Sequence, residues 1–350
     1  VAEARVIGEY GQERTLDGLN LSESHLNTAD CKVVGFLLDN IQQPPAVINL
    51  NNNPIGNDGL EYLCNHTKLL SCPEVKLAET EIDSTGVKFI PEALKNNSGL
   101  TSLDLGSNRI GKICMKHIAA GLRCCDTLTE LDLSENNIEI EGVLSLKDLL
   151  PHSNLQVLRL EDNNIGDEGM EHLCEVLPKC CLRELSIGDN HIGPKGMEYL
   201  GHALPRTQLK NIGLFDNTIG DLGAKNLAMG LVNSQVEEFN LATNDIGDEG
   251  VVHLAQKLST SNLANLLLYD NAIGDEGAKS LARTLPNCKI RLLSLCGTNV
   301  TKDGAQSLAE AVHNHPTINY VSLTVGRHIA EADKEDLLKV SSQKISFYPE

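Results

Sequence analysis

Leucine and polar residues alternate along short stretches of this chain. Leu155, Leu158 and Leu160 follow the spacing Leu-x-x-Leu-x-Leu, and the charged residues Arg159 and Glu161 fall between and after them. Alternation with a period of two is typical of a strand that buries one face and leaves the other open. The pattern therefore predicts a short strand at this point of the chain.

The spacing of apolar residues changes after each such stretch. Ala278, Leu281, Ala282 and Leu285 are separated by three or four residues, so they lie on one face of a helix. Asp275 stands just before them, and we predict that it is the N-cap of this helix, where a carboxylate is favoured by the helix dipole. Each unit of the pattern is thus a strand followed by a helix.

The pattern recurs along nearly the whole chain. The polar residue that ends each strand motif, or its substitute, returns every 27 to 29 residues. A fixed period of this length predicts a solenoid of stacked repeats. We predict an α/β fold in one domain over residues 1–350, with twelve repeats over about 16–326. The twelve anchor positions are Ser24, Asn53, Thr80, Asn108, Asn136, Asn163, Asn190, Asn217, Asn244, Asn271, Thr298 and Gly326.

The two ends of a solenoid expose core surface and need caps. Residues 1–15 form the predicted N-terminal cap, in which Val6, Ile7 and Tyr10 would cover the first turn. Residues 327–350 form the predicted C-terminal cap, with a helix over 329–340 and an edge strand over 344–348.

The recurring asparagine predicts a ladder of buried side chains. An asparagine side chain can donate to and accept from backbone groups that lose their strand partners at a turn. Removal of one ladder member, as in Asn190→Ala, should therefore cost about 1–3 kcal/mol. Ser24, Thr80 and Thr298 offer only a hydroxyl, so we expect their repeats to be weaker or to have irregular turns.

The motif Leu-x-Leu-x-x-Asn-x-Ile-Gly, seen at 158–166 and 266–274, resembles the leucine-rich repeat of the ribonuclease-inhibitor class. That class includes the repeat regions of NOD-like receptors and of Ran GTPase-activating proteins. The resemblance implies a horseshoe with a concave parallel sheet and convex helices.

The charge, the cysteines and the motifs of the chain disfavour several classes of function. The chain has 350 residues and a net charge of −19, which disfavours binding to nucleic-acid phosphates. Eleven scattered cysteines without a Cys-x-x-Cys pair favour a reducing, cytoplasmic location. No apolar run is long enough to cross a membrane. No motif for a nucleotide, a metal or another cofactor is present, so we predict a protein that is not an enzyme.

Acidic residues concentrate at positions that the alternation places on the concave face. Fourteen of these positions are acidic, whereas only Lys76 and Arg159 are basic. An acidic concave surface attracts a positively charged partner. The fourteen acids are Glu23, Glu74, Glu79, Asp104, Glu130, Asp132, Glu135, Glu161, Asp162, Glu184, Asp189, Asp216, Glu238 and Asp270.

Apolar residues interrupt this face towards the C-terminus. We predict that Phe215 and Tyr269 contact a partner, because aromatic side chains beside charged ones are typical of interface anchors. Leu292, Tyr320 and Val325 are predicted to lie beneath the C-terminal cap.

We therefore predict an interaction module that binds a basic protein surface and neither nucleic acid nor membrane. Two alternatives follow from the resemblance. One is a GTPase activator, for which Arg109 could reach a partner's active site, and the other is the ligand-sensing region of a NOD-like receptor. The predicted protein-binding residues are Asp104, Glu130, Asp132, Glu135, Arg159, Glu161, Asp162, Glu184, Asp189, Phe215, Asp216, Glu238, Tyr269 and Asp270.

Overall fold

The computed structural model describes residues 18–40, 43–66, 68–95, 99–313, 315, 317–325 and 328–349. The predicted N-terminal cap and the anchor Gly326 lie outside these residues. The chain forms two compact units, one ending at Arg159 and the other beginning at Leu160. Each unit consists of parallel strands that alternate with helices, which is the predicted α/β repeat architecture.

The first unit contains six short strands, each hydrogen-bonded in parallel to the next one along the chain. Its strands are β1 (Leu19–Asn20), β2 (Val47–Asn49), β3 (Glu74–Lys76), β4 (Ser102–Asp104), β5 (Glu130–Asp132) and β6 (Val157–Arg159). Its helices are α1 (Cys31–Asn40), α2 (Gly56–His66), α3 (Ile90–Lys95), α4 (Met115–Leu122) and α5 (Glu139–Leu149).

The second unit continues the same alternation and ends with the predicted last helix and edge strand. Its strands are β7 (Glu184–Ser186), β8 (Asn211–Gly213), β9 (Glu238–Asn240), β10 (Asn265–Leu267), β11 (Leu292–Leu295), β12 (Tyr320–Val325) and β13 (Ile345–Pro349). Its helices are α6 (Gly166–Val176), α7 (Pro194–Ala203), α8 (Gly220–Leu231), α9 (Asp248–Leu258), α10 (Asp275–Thr284), α11 (Lys302–Val312) and α12 (Glu331–Val340).

The second residue of each strand from β2 to β12 points into the core. In the second unit, Leu185, Ile212, Phe239, Leu266 and Leu293 stand side by side in register, and all are buried. The residues before and after them are partly exposed, as the alternation predicts. We call this second side of the sheet the open face. The predicted helical face of α10 is also buried, from Ala278 to Leu285.

The asparagine ladder is present, and its members join neighbouring repeats. Asn190 is fully buried. Its Oδ1 accepts hydrogen bonds from the backbone amides of Asn163 and Ile165, at 3.1 and 3.2 Å. Its Nδ2 donates to the carbonyl oxygens of Leu160 and Gly188, both at 2.8 Å. One side chain therefore satisfies backbone groups of two successive turns.

Thr80 and Thr298, which replace asparagine in the ladder, make fewer side-chain hydrogen bonds than Asn190, as the sequence predicts. The hydroxyl of Thr80 donates to the Leu77 carbonyl, and that of Thr298 donates to the Leu295 carbonyl, both at 2.7 Å. The repeat that follows Thr80 contains a 3-10 turn and the short helix α3 instead of a full helix, whereas the repeat that follows Thr298 has the full-length helix α11. The expected irregularity is therefore seen at Thr80 and not at Thr298.

The prediction that Asp275 is the N-cap of α10 is wrong. Helix α10 begins at Asp275, but this side chain does not cap it. Asp275 Oδ1 instead accepts from the amides of Thr301 and Gly304, at 2.8 and 3.0 Å, where the next helix begins. Asp248 makes the same pair of bonds to Gly274 and Gly277, at 2.7 and 2.9 Å. Each aspartate thus caps the helix one repeat later, because the stacked helix starts lie side by side.

Two helices approach each other closely at glycine residues. A Cβ atom placed on Gly230 would lie 2.7 Å from the Cα of Gly201 and still closer to its carbonyl oxygen. No side chain fits in this space, so α7 and α8 can pack with their backbones nearly in contact.

All eleven cysteines are free thiols in the structure. Cys174 is buried beside Met170 and Leu173, and burial raises the pKa of its thiol to about 12. None of the described helices combines the length and the apolar character that a bilayer-spanning helix requires.

Candidate protein-binding surface

Two predicted acids of the first unit, Asp104 and Asp132, lie in one row on the open face. The last residues of β3, β4, β5 and β6 are paired in register, so Lys76, Asp104, Asp132 and Arg159 stand in this order. Neighbouring strands are about 4.8 Å apart, which brings the two carboxylates together between two cations. The row is therefore acidic at its centre and basic at both ends.

Asp104 is held in place by its surroundings. Its Oδ1 accepts from the amide of Gly106 at 2.9 Å, and its Oδ2 accepts from Asn51 Nδ2 at 3.3 Å. Burial raises the pKa of Asp104, and the negative charge of Asp132 adds to this effect. A partner cation placed at this carboxylate would favour its ionised form.

The remaining acids of the first unit are more exposed. Glu130 opens β5, and Ser102 Oγ donates to its carboxylate at 3.4 Å. Glu135 is exposed in the turn that follows β5, where its backbone is left-handed with φ of 55°. The five predicted residues of the first unit are thus all partly or fully accessible.

Four aspartates of the second unit occupy equivalent turns. Asp162, Asp189, Asp216 and Asp270 each precede a ladder asparagine by one residue, and all four are exposed. Their φ angles lie between 48° and 54°. We call these four residues the acidic rim. Their backbone amides bond to the next turn, for example Asp162 to the Gly188 carbonyl at 3.0 Å.

The backbone accounts for part of this acid enrichment. A left-handed residue is unfavourable for most side chains, and aspartate and asparagine tolerate it well. Asn52 occupies the same turn in the first unit with φ of 59°. Asparagine would therefore serve the turn equally well, so the backbone alone does not require the negative charge.

The strand acids of the second unit differ in their surroundings. Glu184 and Glu238 begin β7 and β9, and Asn265 Nδ2 donates to the Glu238 carboxylate at 2.8 Å. Glu161 is half-buried, and its Oε2 atom is shielded from solvent without a hydrogen-bond partner. Glu161 is thus less accessible than the sequence suggests.

No lysine or arginine balances these acids on the strands of the second unit. The first and third residues of β7 to β12 face away from the core, and none of them is basic. These positions are Glu184, Ser186, Asn211, Gly213, Glu238, Asn240, Asn265, Leu267, Leu292, Ser294, Tyr320 and Ser322.

The aromatic ring of Phe215 lies over a glycine. A Cβ atom on Gly188 would lie 2.6 Å from Cζ of Phe215, so the ring needs the space that Gly188 leaves free. Phe215 remains half-exposed beside the exposed Asp189 and Asp216. The structure thus places an apolar ring between two rim acids, which is the predicted combination of anchor and charge.

Tyr269 lines an apolar depression of about 570 Å³ on the open face. The expectation that the C-terminal cap covers Leu292, Tyr320 and Val325 is wrong, because β13 extends the sheet beside β12 and leaves all three residues half-exposed. Tyr348 of β13 was not among the predicted site residues, but it also lines the depression, and its hydroxyl contacts that of Tyr320. Other lining residues are Leu267, Cys296 and Asp270.

Arg109 is exposed, and its backbone forms an isolated bridge with Asp83. Among the described residues, no group of three histidine, cysteine or acidic side chains is arranged to hold a metal ion.

Comparison with known proteins identifies the repeats. The family model described as leucine-rich repeat matches seven segments of the chain. These segments are 47–64, 96–113, 124–147, 152–174, 179–201, 232–255 and 266–282.

Curated relatives share part of the chain. Human NACHT, LRR and PYD domains-containing protein 2 is 32% identical over 177 residues, which cover 41% of this chain and 17% of that protein. Human NACHT, LRR and PYD domains-containing protein 7 is 30% identical over 136 residues, which cover 37% of this chain and 14% of that protein. The chain thus matches less than a fifth of the length of these relatives.

Solved structures share the fold at low sequence identity. The Rad7 and Elc1 complex of yeast matches with a TM-score of 0.59 and 17% identity, covering 93% of this chain and 78% of that chain. An internalin of Listeria monocytogenes matches with a TM-score of 0.52 and 19% identity, covering 86% of this chain and 78% of that one.

Proposed function

Because the chain is a leucine-rich repeat protein whose repeats resemble those of NOD-like receptors, we propose that it binds a basic protein surface through its open face. The observation that carries this proposal is the charge of the second unit's open face. Its strand positions contain no lysine or arginine, and the exposed acidic rim borders them. Such a surface attracts a cationic partner and repels an anionic one.

Phe215 and Tyr269 supply the apolar part of the proposed interface. Each stands next to a rim acid, Asp216 or Asp270. A partner with a lysine or arginine beside an apolar side chain would fit this arrangement, because buried aromatic anchors supply much of the affinity and charges supply orientation. We further propose a cytoplasmic location, which the free thiols support. We do not assign an enzymatic step to this surface.

The experiment removes the rim charge without changing the turns. The variant Asp162→Asn, Asp189→Asn, Asp216→Asn and Asp270→Asn keeps side chains that tolerate the left-handed backbone. The matched control removes four exposed acids from helices of the same unit: Glu168→Gln, Glu249→Gln, Glu276→Gln and Glu310→Gln. Both variants raise the net charge of the chain by the same amount.

Proteins bound from a source-cell lysate are compared by quantitative mass spectrometry at about 50 and 200 mM salt, across which screening strengthens. We expect the wild type and the helix variant to capture the same set of basic proteins. The rim variant should not capture this set, and high salt should release it from the wild type. Identical capture by the rim variant and the wild type would refute the proposal. A small GTPase in the lost set would instead favour the GTPase-activator alternative.

A further inference from the structure

A group of positive side chains lies at the opposite end of the second unit's strands, where each strand begins. The residue just before each strand bonds through its amide to the carbonyl of the equivalent residue one repeat earlier. These bonds are 2.7 to 2.8 Å long and join Arg183, Lys210, Glu237, Ala264 and Arg291 in that order. The residues therefore form a row with one member per repeat, about 4.8 Å apart.

Ala264 interrupts this row of long side chains with a single methyl group. A pocket of about 490 Å³ opens around it. Its walls are built mainly by Lys210, Glu237, Asn262, Lys289 and Arg291, and by Thr317. We call this space the edge pocket. It lies at the starts of the strands, whereas the acidic rim follows their ends.

The charges around the edge pocket are not balanced. Among the described residues that line it, Glu237 is the only acid, and it is paired with Lys210 at 2.6 Å. Lys289 Nζ donates to the neutral Asn262 Oδ1 at 2.6 Å. The exposed guanidinium of Arg291 makes no ion pair with any described residue. The pocket thus keeps two cations without a carboxylate partner, in a chain whose net charge is −19.

We propose that the edge pocket binds an anionic side chain of a peptide, either a carboxylate or a phosphate monoester. The planar guanidinium of Arg291 can donate two parallel hydrogen bonds to such a group, and the Lys289 ammonium adds a point charge. Asn262 and Thr317 offer further polar groups at the walls. The ligand carries the charge opposite to that expected for the open face, so this proposal stands independently of the proposed function.

The Ala264 methyl group is the reporter for a direct test, and the methyl group of Ala242, which is buried beyond the end of β9, is the internal control. Methyl NMR spectra of the full chain are recorded during titration with N-acetyl-phosphoserine amide, N-acetyl-glutamate amide, N-acetyl-serine amide and inorganic phosphate. We expect a saturable shift of Ala264, but not of Ala242, with the first two probes and none with the serine compound. A larger response to phosphoserine than to glutamate would identify the phosphate monoester as the preferred group.

Two double variants test whether Lys289 and Arg291 bind the anionic group. Lys289→Gln with Arg291→Gln should weaken binding at least about tenfold, since two charge-assisted contacts are lost. Lys225→Gln with Arg283→Gln removes two exposed charges from helices of the same unit and should leave the affinity unchanged. Equal affinity in the two variants, a shift that does not saturate, or a response to the serine compound would overturn the proposal. Tighter binding of inorganic phosphate than of phosphoserine would overturn the assignment to a peptide.

Discussion

Replacing Asn190 with alanine removes four buried hydrogen bonds, three of which join its repeat to the preceding one. The amides of Asn163 and Ile165 lose their acceptor, and the carbonyls of Leu160 and Gly188 lose their donor. A typical buried hydrogen bond contributes about 1 kcal/mol net, so the free energy of unfolding should fall by about 4 kcal/mol. This exceeds the 1–3 kcal/mol expected from the sequence, because the structure shows four partners.

Asn244 supplies a matched control in the same unit. It is also fully buried, but its Nδ2 makes only two bonds, to the carbonyls of Leu214 and Ala242, both at 2.8 Å. Its Oδ1 has no hydrogen-bond partner. Asn244→Ala should therefore cost about 2 kcal/mol, half the cost of the change at Asn190. The same atoms are removed at both sites, so the difference reports the bonds accepted by Asn190.

Urea unfolding followed by far-UV circular dichroism measures both losses, since the chain has no tryptophan. Hydrogen exchange should also accelerate at the amides of Asn163 and Ile165 in the Asn190 variant, because these amides lose their acceptor. An equal loss of unfolding free energy in the two variants would refute the assumption that each buried hydrogen bond contributes about 1 kcal/mol. An unchanged unfolding midpoint for Asn190→Ala would refute the ladder itself.

Two further changes test the packing and the helix caps. Gly230→Ala should destabilise the chain by about 1–3 kcal/mol, because its Cβ would collide with Gly201; the exposed neighbour Met229→Ala should stay within about 0.5 kcal/mol in the same urea assay. Burial by itself would raise the pKa of Asp275, but hydrogen bonds from Thr301 and Gly304 outweigh it and hold the pKa below its usual value. Asp275→Ala should therefore cost about 1 kcal/mol at pH 7, and this gap should narrow as the pH falls below about 3.9 towards the folded-state pKa. A gap of equal size at pH 7 and pH 3 would contradict this role of the ionised carboxylate.

The repeat, its strand and its helix can all be predicted from the order of residues along the chain. The buried positions of α10 and the ladder role of Asn190 follow from local spacing, because a strand with one buried face and an amphipathic helix each impose their own period. The open-face positions follow from the same alternation. For this reason, the predicted binding residues could be placed before any coordinates were known.

Contacts between repeats could not be predicted in this way. Asp275 caps α11, which begins 27 residues later at Lys302, and Phe215 rests on a glycine 27 residues earlier. Local spacing gives no information about such partners, since the offset is set by how one repeat stacks on the next. The edge pocket is the clearest case, because Lys210, Lys289 and Arg291 come from different repeats and meet only when the strands are in register. Periodicity is a property of the sequence, whereas the juxtaposition of side chains from separate repeats depends on the stacking of the folded chain.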